Sequence, residues 1–400
     1  MKRLLLIGGG HAHLSVLQAL ERDKPAGVEV VLVTPALHQN YSGMLPGWMA
    51  GHYTLAQSRI DLQSLTQAAH VQMMVGRIVS MDAARQCVTL ADGRQVEYDL
   101  LSLDVGSDID TSSLEMAGDK LLPVKPLDGF FEAWPSVLAT AQNKSKNKSQ
   151  NKSQNKSQNK AQDTPGYRLT IVGGGAAGVE LALAAQHAFA GAGCAARVDL
   201  VVAESGLLAG HAAGVQRRVA RFMNHAGVVV HRLRAVGAEQ GVLLSDGTLL
   251  PADCVIAATG ARAPAWLQTS QLKLDEQGYI VVDARHRSVS HANVFAAGDV
   301  CARQDVVMAR SGVHAVHAGP VLAANLLAML AGTPLTTYCP RRRSLYLLAC
   351  GSRYAIASWG GLSIAGRWVW HWKDRIDRGF VARFSRPERP HDAAVEPQAR

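Results

Sequence analysis

A glycine-rich turn in the middle of the chain has the residue types and the spacing that bind a diphosphate. An apolar, β-branched run at 169–172 leads into Gly173-Gly174-Gly175-Ala176-Ala177-Gly178, and an alanine- and leucine-rich stretch follows. In such a strand–turn–helix unit, Gly173 permits the tight turn, Gly175 lets the backbone approach the phosphates, and Gly178 lets the helix pack on the strand. The helix N-terminus then offers N–H groups and the positive end of its dipole. The pattern predicts a dinucleotide site, and the alternative is a tight turn with no ligand.

An acidic residue beyond this helix indicates which dinucleotide binds. Glu204 ends the next apolar run, 198–203. A carboxylate at this point accepts hydrogen bonds from an adenosine ribose and repels a 2′-phosphate. The sequence therefore favours NADH over NADPH.

The first residues repeat the plan with two departures. Residues 2–7 predict a strand, 8–10 a glycine turn and 14–20 a helix. His13 occupies the third glycine position, and Thr34 follows the next strand where an acid would bind ribose. The Thr34 hydroxyl can still hydrogen-bond a ribose, so we predict a second nucleotide site here.

The two halves also end alike. Asp246 lies 154 residues after Asp92, and Gly260 lies the same distance after Gly106; each pair marks a turn and the end of a later apolar run. A duplicated nucleotide-binding plan is a stronger signal than either glycine turn alone. We predict an α/β fold with two Rossmann-like dinucleotide-binding domains and a small C-terminal α+β region.

No metal site is predicted. His11 and His13, two residues apart at the start of a helix, point in different directions, and we interpret them as polar turn residues. The six cysteines include no C-x-x-C pair, which argues against a structural zinc, a redox-active disulfide and a secreted disulfide framework. A reducing cytoplasm is the expected location.

Composition and charge narrow the function classes. The chain has 400 residues, 48% of them hydrophobic and 18% charged, as expected of two or three globular domains. No apolar run appears long enough in the sequence to cross a membrane. Removing the six lysines of the Asn-Lys-Ser-Gln tract at 143–162 from the net charge of +9 leaves +3, so nucleic acid is not an expected partner. We predict that this tract is a disordered surface insertion; the alternative is an arm that binds phosphate or anionic lipid.

The duplicated plan gives the sequence a family resemblance. It resembles the pyridine nucleotide–disulfide oxidoreductase superfamily, whose fold is glutathione-reductase-like. Within it, the chain looks most like type II NADH dehydrogenases and sulfide:quinone reductases. Three motifs look like one subgroup, often found fused in front of selenophosphate synthase: Gly8-Gly9-Gly10-His11-Ala12-His13, Tyr41-Ser42-Gly43-Met44-Leu45-Pro46-Gly47 and the tryptophan-rich C-terminus. The cysteine pair of the disulfide reductases is missing.

The resemblance implies a domain organisation. An FAD-binding domain would comprise 1–116 and 285–335, and an NAD(H)-binding domain 117–284 with the insertion at 143–162. Residues 336–386 would form C-terminal strands and an aromatic, basic segment, and 387–400 a disordered tail.

The resemblance also implies the cofactors and their residues. Asp299 would bind the flavin ribityl chain, and the helix after Gly312 would point its positive end at the flavin pyrimidine. The residues expected to hold FAD are Gly8, Gly10, His11, Ala12, Thr34, Met44, Pro46, Ile78, Gly106, Gly298, Asp299, Arg310 and Gly312. The residues expected to hold NADH are Gly173, Gly175, Ala176, Gly178, Glu180, Glu204 and Gly260. No side chain is identified as catalytic, since hydride transfer itself needs no acid or base.

These features predict an FAD-dependent oxidoreductase that takes hydride from NADH and passes electrons to a small second acceptor. The aromatic and basic residues of 367–384 suit a membrane interface and favour a quinone. A buried flap over the flavin or a homodimer contact is the alternative use of this segment. The alternative function is a regulatory NADH-sensing flavoprotein linked to selenium metabolism.

Overall fold

The structure is a computed structural model that describes residues 1–154, 166–308, 310, 312–341 and 343–386, without the side chains of 148–154. The α-helices are α1 (His11–Arg22), α2 (Leu45–Met49), α3 (Leu62–Ala68), α4 (Leu127–Gln154), α5 (Ala176–Gly191), α6 (Ala213–Ala226), α7 (Gly312–Ala331) and α8 (Arg367–Phe384). The strands of the first part of the chain are β1 (Lys2–Ile7), β2 (Val28–Thr34), β3 (His38–Asn40), β4 (Arg59–Asp61), β5 (Gln72–Val75), β6 (Ile78–Asp82), β7 (Cys87–Leu90), β8 (Gln95–Glu97), β9 (Leu100–Leu103), β10 (Asp108–Ile109) and β11 (Leu121–Pro123). The later strands are β12 (Tyr167–Val172), β13 (Ala196–Val202), β14 (Val229–Arg232), β15 (Ala235–Ala238), β16 (Gly241–Leu244), β17 (Leu249–Pro251), β18 (Cys254–Ala257), β19 (Ala261–Arg262), β20 (Ile280–Val282), β21 (Val294–Ala296), β22 (Cys301–Arg303), β23 (Leu345–Ala349), β24 (Ala355–Trp359) and β25 (Leu362–Gly366).

Two parallel sheets form the centres of two units. The first has the order β21-β9-β1-β2-β5 and the second β11-β18-β12-β13-β14. In each sheet the strand before the glycine turn is central, and its four last residues are buried, as in a parallel strand that is covered on both faces. A three-stranded antiparallel sheet accompanies each unit, β6-β7-β8 in the first and β15-β16-β17 in the second. The predicted α/β fold with two Rossmann-like units is confirmed.

The duplication extends to individual hydrogen bonds. The carboxylate of Asp99 accepts the N–H of Arg3 at 2.6 Å, and that of Asp253 accepts the N–H of Arg168 at 2.8 Å. In both units the first glycine of the turn donates its N–H to the neighbouring strand, to Val33 in one and to Val201 in the other, at 2.8 Å each. Positions in one half can therefore be matched to positions in the other.

The boundaries between the units differ from the predicted ones. The chain crosses between the units in β10 and β19, which pair with each other. Leu114 packs in a core cluster of the second unit, before the predicted boundary at 116/117. Residues of 263–282 pack in the core of the first unit, although the prediction placed everything up to 284 in the second. The chain returns to the first unit at β19, earlier in the sequence than predicted, because the segment after β19 packs on the first sheet.

The lysine-rich tract is partly helical, which corrects the prediction of disorder for its first part. Helix α4 continues through the tract to Gln154. Lys144 pairs with Asp253 at 2.8 Å, and the Ser145 hydroxyl accepts the N–H of Ala195 at 2.8 Å. These two contacts attach the start of the tract to the second unit. Residues 155–162 and the predicted tail at 387–400 lie outside the described residues.

Helix α7 crosses the first unit against α1. A Cβ at Gly319 would meet Ser15 and Ala12, so the glycine allows close packing of the two helices. Within the described residues, α7 is long and apolar enough to span a membrane by length and composition, which the sequence analysis did not anticipate. Alanines and a glycine on α7 are buried together with its leucines, and this packing is that of a core helix.

The C-terminal region joins both units. Strands β23, β24 and β25 form an antiparallel sheet, and α8 follows it. Leu348 and Ile356 belong to the core of the second unit, whereas Val369 and Trp370 belong to the core of the first. The predicted small α+β region therefore closes over the boundary between the nucleotide-binding units.

Candidate functional site

The glycine turn of the second unit has the geometry that the sequence predicts. Gly173 has φ +135°, and a Cβ there would collide with the carbonyl of Ala258. A Cβ at Gly178 would collide with the carbonyl oxygen of Gly173, whereas Gly175 faces open space. Among the described residues, no side chain forms a hydrogen bond with the first N–H groups of α5, which begins at Ala176. The first turn of this helix is therefore open to an anion, and a diphosphate can approach over Gly175.

The remaining groups for a dinucleotide lie at the same edge of the sheet. Glu204 follows β13 and is exposed, and Gly260 follows β18 and is exposed as well. Because the carboxyl ends of parallel strands meet at one edge, both residues lie beside the turn at Gly173. Glu204 is thus free to accept bonds from a ribose.

The glycine turn of the first unit differs in one important respect. Gly8 has φ +93°, and Gly10 is the N-cap of α1. The carboxylate of Asp104, a buried residue after β9, accepts the N–H groups of Ala12 at 2.7 Å and His13 at 3.0 Å. Burial is the main cause that raises the pKa of Asp104, to about 7. The role of Asp104 is not predictable from its neighbours in the sequence, because nothing near it shows that it reaches α1.

His13 is a core residue and not a polar turn residue, which corrects the prediction. Its ring is fully buried, with Nδ1 2.6 Å from the carbonyl oxygen of Gly8 and Nε2 2.8 Å from the Ser102 hydroxyl. Burial lowers the pKa of His13 to about 4, so the ring is neutral. His13 is the counterpart of Gly178, the glycine that lets helix and turn touch directly in the second unit. In the first unit, the His13 side chain fills this position and joins α1 to the glycine turn.

His11 is half-buried, and one of its ring nitrogens is buried and unmatched. Its Nε2 has no hydrogen-bond partner among the described residues, and burial lowers its pKa to about 4. The ring contacts Tyr41 and Phe380, with centroids 5.5 and 5.7 Å away. Gly312, the first residue of α7, lies next to the His11 ring. A neutral imidazole with an unmatched buried nitrogen can hydrogen-bond a polar ligand.

Asp299 lies between the two units. It follows Gly298, which has φ +75°, and its carboxylate is 3.2 Å from the ammonium of Lys125. Lys125 also donates to the Ser107 hydroxyl at 3.0 Å. Lys125 follows β11 in the second unit, and no local pattern in the sequence predicts that it lies beside Asp299.

The other residues expected to hold FAD line the first unit with different degrees of access. Thr34 ends β2 and is buried, and Gly106 follows β9 with φ +73°. Ile78 begins β6 and is buried, while Met44 and Pro46 are buried at the start of α2. The segment around Ser42 lies beside Gly312, as the prediction of a common flavin environment requires.

Arg310 is engaged by other groups. Its guanidinium lies 3.5 Å from the ring centroid of Tyr279 and 3.8 Å from the carboxylate of Asp275. It lines a cavity of about 580 Å³ that reaches Asp299 and His314. These contacts hold Arg310 on the cavity wall.

Glu180 has a different neighbour from the predicted one. Its carboxylate accepts the N–H of Ala349 in β23 at 2.7 Å, so it faces the C-terminal region and not the nucleotide turn. Burial raises the pKa of Glu180 to about 7, and the positive charge of Lys373 partly opposes this rise. Glu180 of α5 thus lies near a charged cluster on α8 and not at the predicted nucleotide site.

The α8 cluster is buried and charged. The ammonium of Lys373 lies 2.6 Å from Asp377 and donates to the carbonyl oxygen of Gly43 at 2.7 Å. The Tyr41 hydroxyl lies 3.3 Å from the other carboxylate oxygen of Asp377. Burial raises the pKa of Asp377, and Lys373 opposes this rise. The cluster connects the Tyr41–Gly43 segment of the first unit with Glu180 of the second.

The first unit has the features that FAD requires. A glycine turn before a helix, a carboxylate at Asp299, the N-terminus of α7 and an unmatched nitrogen on His11 belong to this unit, and Asp299 and Gly312 lie near His11. The second unit offers a turn for NAD(H) where no described side chain bonds to the start of the helix. The arrangement brings together two nucleotide cradles of the type used by flavin enzymes that react with nicotinamide nucleotides.

Residues 2–319 match the family model described as pyridine nucleotide-disulphide oxidoreductase, and the chain belongs to this family. It is an NAD(P)H-dependent flavoprotein oxidoreductase with FAD as its cofactor. A NADH dehydrogenase-like protein of Bacillus subtilis is 21% identical over 309 residues, which cover 75% of this chain and 76% of that protein.

Two solved structures have a similar fold. NDH2 of Plasmodium falciparum in complex with NADH has a TM-score of 0.77 at 12% identity, covering 95% of this chain and 97% of that one. The sulfide:quinone oxidoreductase of Aquifex aeolicus has a TM-score of 0.73 at 14% identity, covering 96% and 91%. The predicted superfamily and fold are confirmed.

Proposed function

We propose that this enzyme transfers hydride from NADH to FAD and that its second acceptor is a membrane quinone. FAD, when bound, supplies the hydride acceptor and the onward electron donor. The protein itself aligns the two nucleotides, excludes water and holds protons. Glu204 and the open turn of α5 support NADH as the donor, because the exposed carboxylate repels a 2′-phosphate.

The observation that carries the quinone proposal is the buried cluster on α8. A quinone that receives a hydride equivalent must take one further proton to become a quinol. Glu180 has a pKa raised by burial to about 7, so its carboxyl can give a proton near neutral pH. The charges of Lys373 and Asp377 act on Glu180, and the Lys373 ammonium bonds to Asp377 and to the carbonyl of Gly43. A one-electron protein acceptor takes up no proton and needs no such cluster.

The outer surface of α8 supports a membrane location. Trp368, Trp372 and Ile376, spaced four residues apart, face solvent, while Lys373 and Asp377 on the same helix are buried. We call the exposed apolar surface of α8 and the adjoining strands the aromatic face. It comprises Trp359, Leu362, Ile364, Trp368, Trp372 and Ile376. Arg367 and Arg375 are exposed beside it. Aromatic rings with basic neighbours suit a lipid–water interface, and we propose peripheral binding to the cytoplasmic face of a membrane.

The C-terminal segment can be a flap over the flavin or a membrane contact, and these two interpretations apply to different sides of α8. Trp370 and Phe384 are buried, and Phe380 stacks on Tyr41 with centroids 4.7 Å apart. This inner side is the flap that covers the His11 end of the site. The outer side is available for lipid, and a quinone dissolved in the bilayer would reach the cluster along α8.

Vesicles test the proposal. Holoprotein is mixed with anionic phospholipid vesicles that contain a long-chain quinone, and NADH oxidation and flotation are measured. Replacement of Trp368, Trp372 and Ile376 by serine should reduce flotation and slow reduction of the vesicle quinone at least tenfold. Reduction of a water-soluble quinone should stay unchanged. The matched control replaces two exposed residues of the second unit, Val236 and Leu243, by serine.

Three outcomes contradict parts of the proposal. Equal flotation of the wild type and the triple variant would exclude the aromatic face as the lipid contact. Rapid bleaching of the flavin by NADH without quinone reduction would exclude the acceptor. No bleaching at all would favour the regulatory NADH-sensing function.

A further inference from the structure

Asp104 and Ala258 occupy the same position in the two halves of the molecule. Asp104 donates its N–H to Ile7 at 2.9 Å, and Ala258 donates its N–H to Val172 at 2.9 Å. The carbonyl of each residue lies against the first glycine of its turn, Gly8 in one half and Gly173 in the other. The backbones are equivalent, and the side chains differ by one carboxylate.

That carboxylate changes what the helix N-terminus can offer. In the second half, none of the side chains that the structure describes bonds to the first N–H groups of α5. In the first half, Asp104 already accepts the N–H groups of Ala12 and His13. A diphosphate at α1 therefore brings its negative charges close to a buried carboxylate that occupies the same end of the helix. Two anions compete for one positive pole.

The charged and titratable groups around Asp104 come from three segments. His11 and His13 lie on α1, Asp299 and Cys301 follow β21, and Lys125 reaches Asp299 from the second unit. Burial lowers the pKa of both histidines to about 4 and raises that of Cys301 to about 12. These three groups are therefore neutral between pH 6 and 9. The Asp299 charge adds to the repulsion that Asp104 experiences.

We propose that Asp104 takes up a proton when FAD binds, so that the flavin site is proton-linked and the NADH site is not. As a protonated carboxyl, Asp104 still has a carbonyl oxygen to accept an N–H of α1, and it carries no charge to repel the diphosphate. Burial raises the pKa of Asp104 to about 7 in the protein without FAD, so the proton is taken up in the neutral pH range. The proposal rests on FAD binding in the first half and is independent of the acceptor.

The sign of the effect follows from linkage. A ligand that favours the protonated form binds with constant affinity below the pKa of the free protein and more weakly above it. FAD affinity should therefore be flat below pH 6 and fall by up to tenfold per pH unit above about pH 7. NADH affinity should stay flat over the same range.

Flavin release tests the proposal. Holoprotein is diluted to nanomolar concentration at pH 6 to 9, and the fluorescence of free FAD reports the bound fraction. Asp104→Asn has no proton to gain, so its FAD affinity should be independent of pH and exceed that of the wild type at pH 9 by at least tenfold. Asp199→Asn is the control, since Asp199 is a buried carboxylate of the second sheet that pairs with Arg197 and His231. This control should keep the wild-type slope.

A second measurement needs no variant. A pH-indicator dye in weakly buffered solution at pH 8 should show close to one proton released for each FAD that leaves the wild-type protein, and none at pH 5.5. The proposal is wrong if no proton is released at pH 8. It is also wrong if Asp104→Asn keeps the wild-type slope, or if it loses FAD at every pH while its unfolding temperature is unchanged.

Discussion

The ammonium of Lys125 lies 3.2 Å from a carboxylate oxygen of Asp299, although the two residues belong to different units. Lys125 follows β11 in the second sheet, and Asp299 follows β21 in the first. The same ammonium donates to Ser107 at 3.0 Å. One side chain of the second unit thus reaches the carboxylate that the family resemblance assigns to the flavin, and it balances part of that carboxylate's negative charge.

Replacement of Lys125 by methionine should weaken FAD binding. The variant leaves Asp299 without its cation while Asp104 and the diphosphate remain close. A charge-assisted hydrogen bond contributes about 1.5–3 kcal/mol, and Lys125 is partly exposed, so we expect the lower end, a loss of roughly tenfold in affinity. Fluorescence of released FAD measures it. Lys120→Met, at a half-buried lysine five residues earlier, is the control, and equal FAD release from both variants would contradict the prediction.

Two glycines of the second turn should respond differently to alanine. At Gly178 the new Cβ meets the carbonyl of Gly173, so Gly178→Ala should lower the free energy of unfolding by about 1–3 kcal/mol. At Gly175 the new Cβ faces open space, so Gly175→Ala should fold normally and retain FAD. It should nevertheless raise the KM for NADH, because the methyl group lies where the diphosphate approaches. Thermal unfolding and NADH titration distinguish the two; equal unfolding temperatures would show that the packing argument is wrong.

Glu180→Gln should separate the two half-reactions. In the wild type the protonated fraction of Glu180 falls as pH rises through about 7, so reoxidation of the flavin by quinone should slow above that pH. The glutamine variant should be slow and independent of pH in this step, while bleaching by NADH is unaffected. Stopped-flow absorbance measures each step. Glu132→Gln, on the exposed side of α4, should behave as the wild type, and a wild-type pH profile in Glu180→Gln would remove Glu180 from the proton path.

Glu204→Ala should relax the choice of donor. Without the carboxylate, the ribose loses an acceptor and a 2′-phosphate is no longer repelled. We expect a higher KM for NADH and a lower KM for NADPH, each by about tenfold, a factor that corresponds to about 1.4 kcal/mol. Glu239→Ala, at an equally exposed glutamate of the same unit, is the control. An unchanged ratio of the two KM values would mean that another residue selects the donor.

Local patterns predict the two glycine turns and the strands and helices on either side of them. Each depends on residues within a few positions of one another, and the spacing in the sequence carries the information. The duplication was visible for the same reason, and its equivalent hydrogen bonds at Asp99 and Asp253 follow from it.

Contacts between distant segments were not predictable in this way. Lys373 bonds to Gly43 across 330 positions, and Glu180 bonds to Ala349 across 169. The family motif suggested a nucleotide role for Glu180, but the packing of β23 against α5 decides where its carboxylate points. The prediction for His13 is wrong for the same reason. Its ring bonds to Ser102, a residue distant in the sequence, and this contact lies in the core and not in an exposed turn. The selenium association stays a prediction.

The paired strands β10 and β19 have a consequence for the history of such chains. Asp108 lies opposite Arg262 and Ile109 opposite Ala261, so the outgoing and returning crossings lie within one strand spacing, about 4.8 Å. The nicotinamide-binding unit is therefore inserted into the chain of the flavin-binding unit. Its two connections run side by side as the antiparallel pair β10 and β19. Exchanging that insert for another would change the electron donor and, apart from Lys125, leave every side chain assigned to the flavin in place.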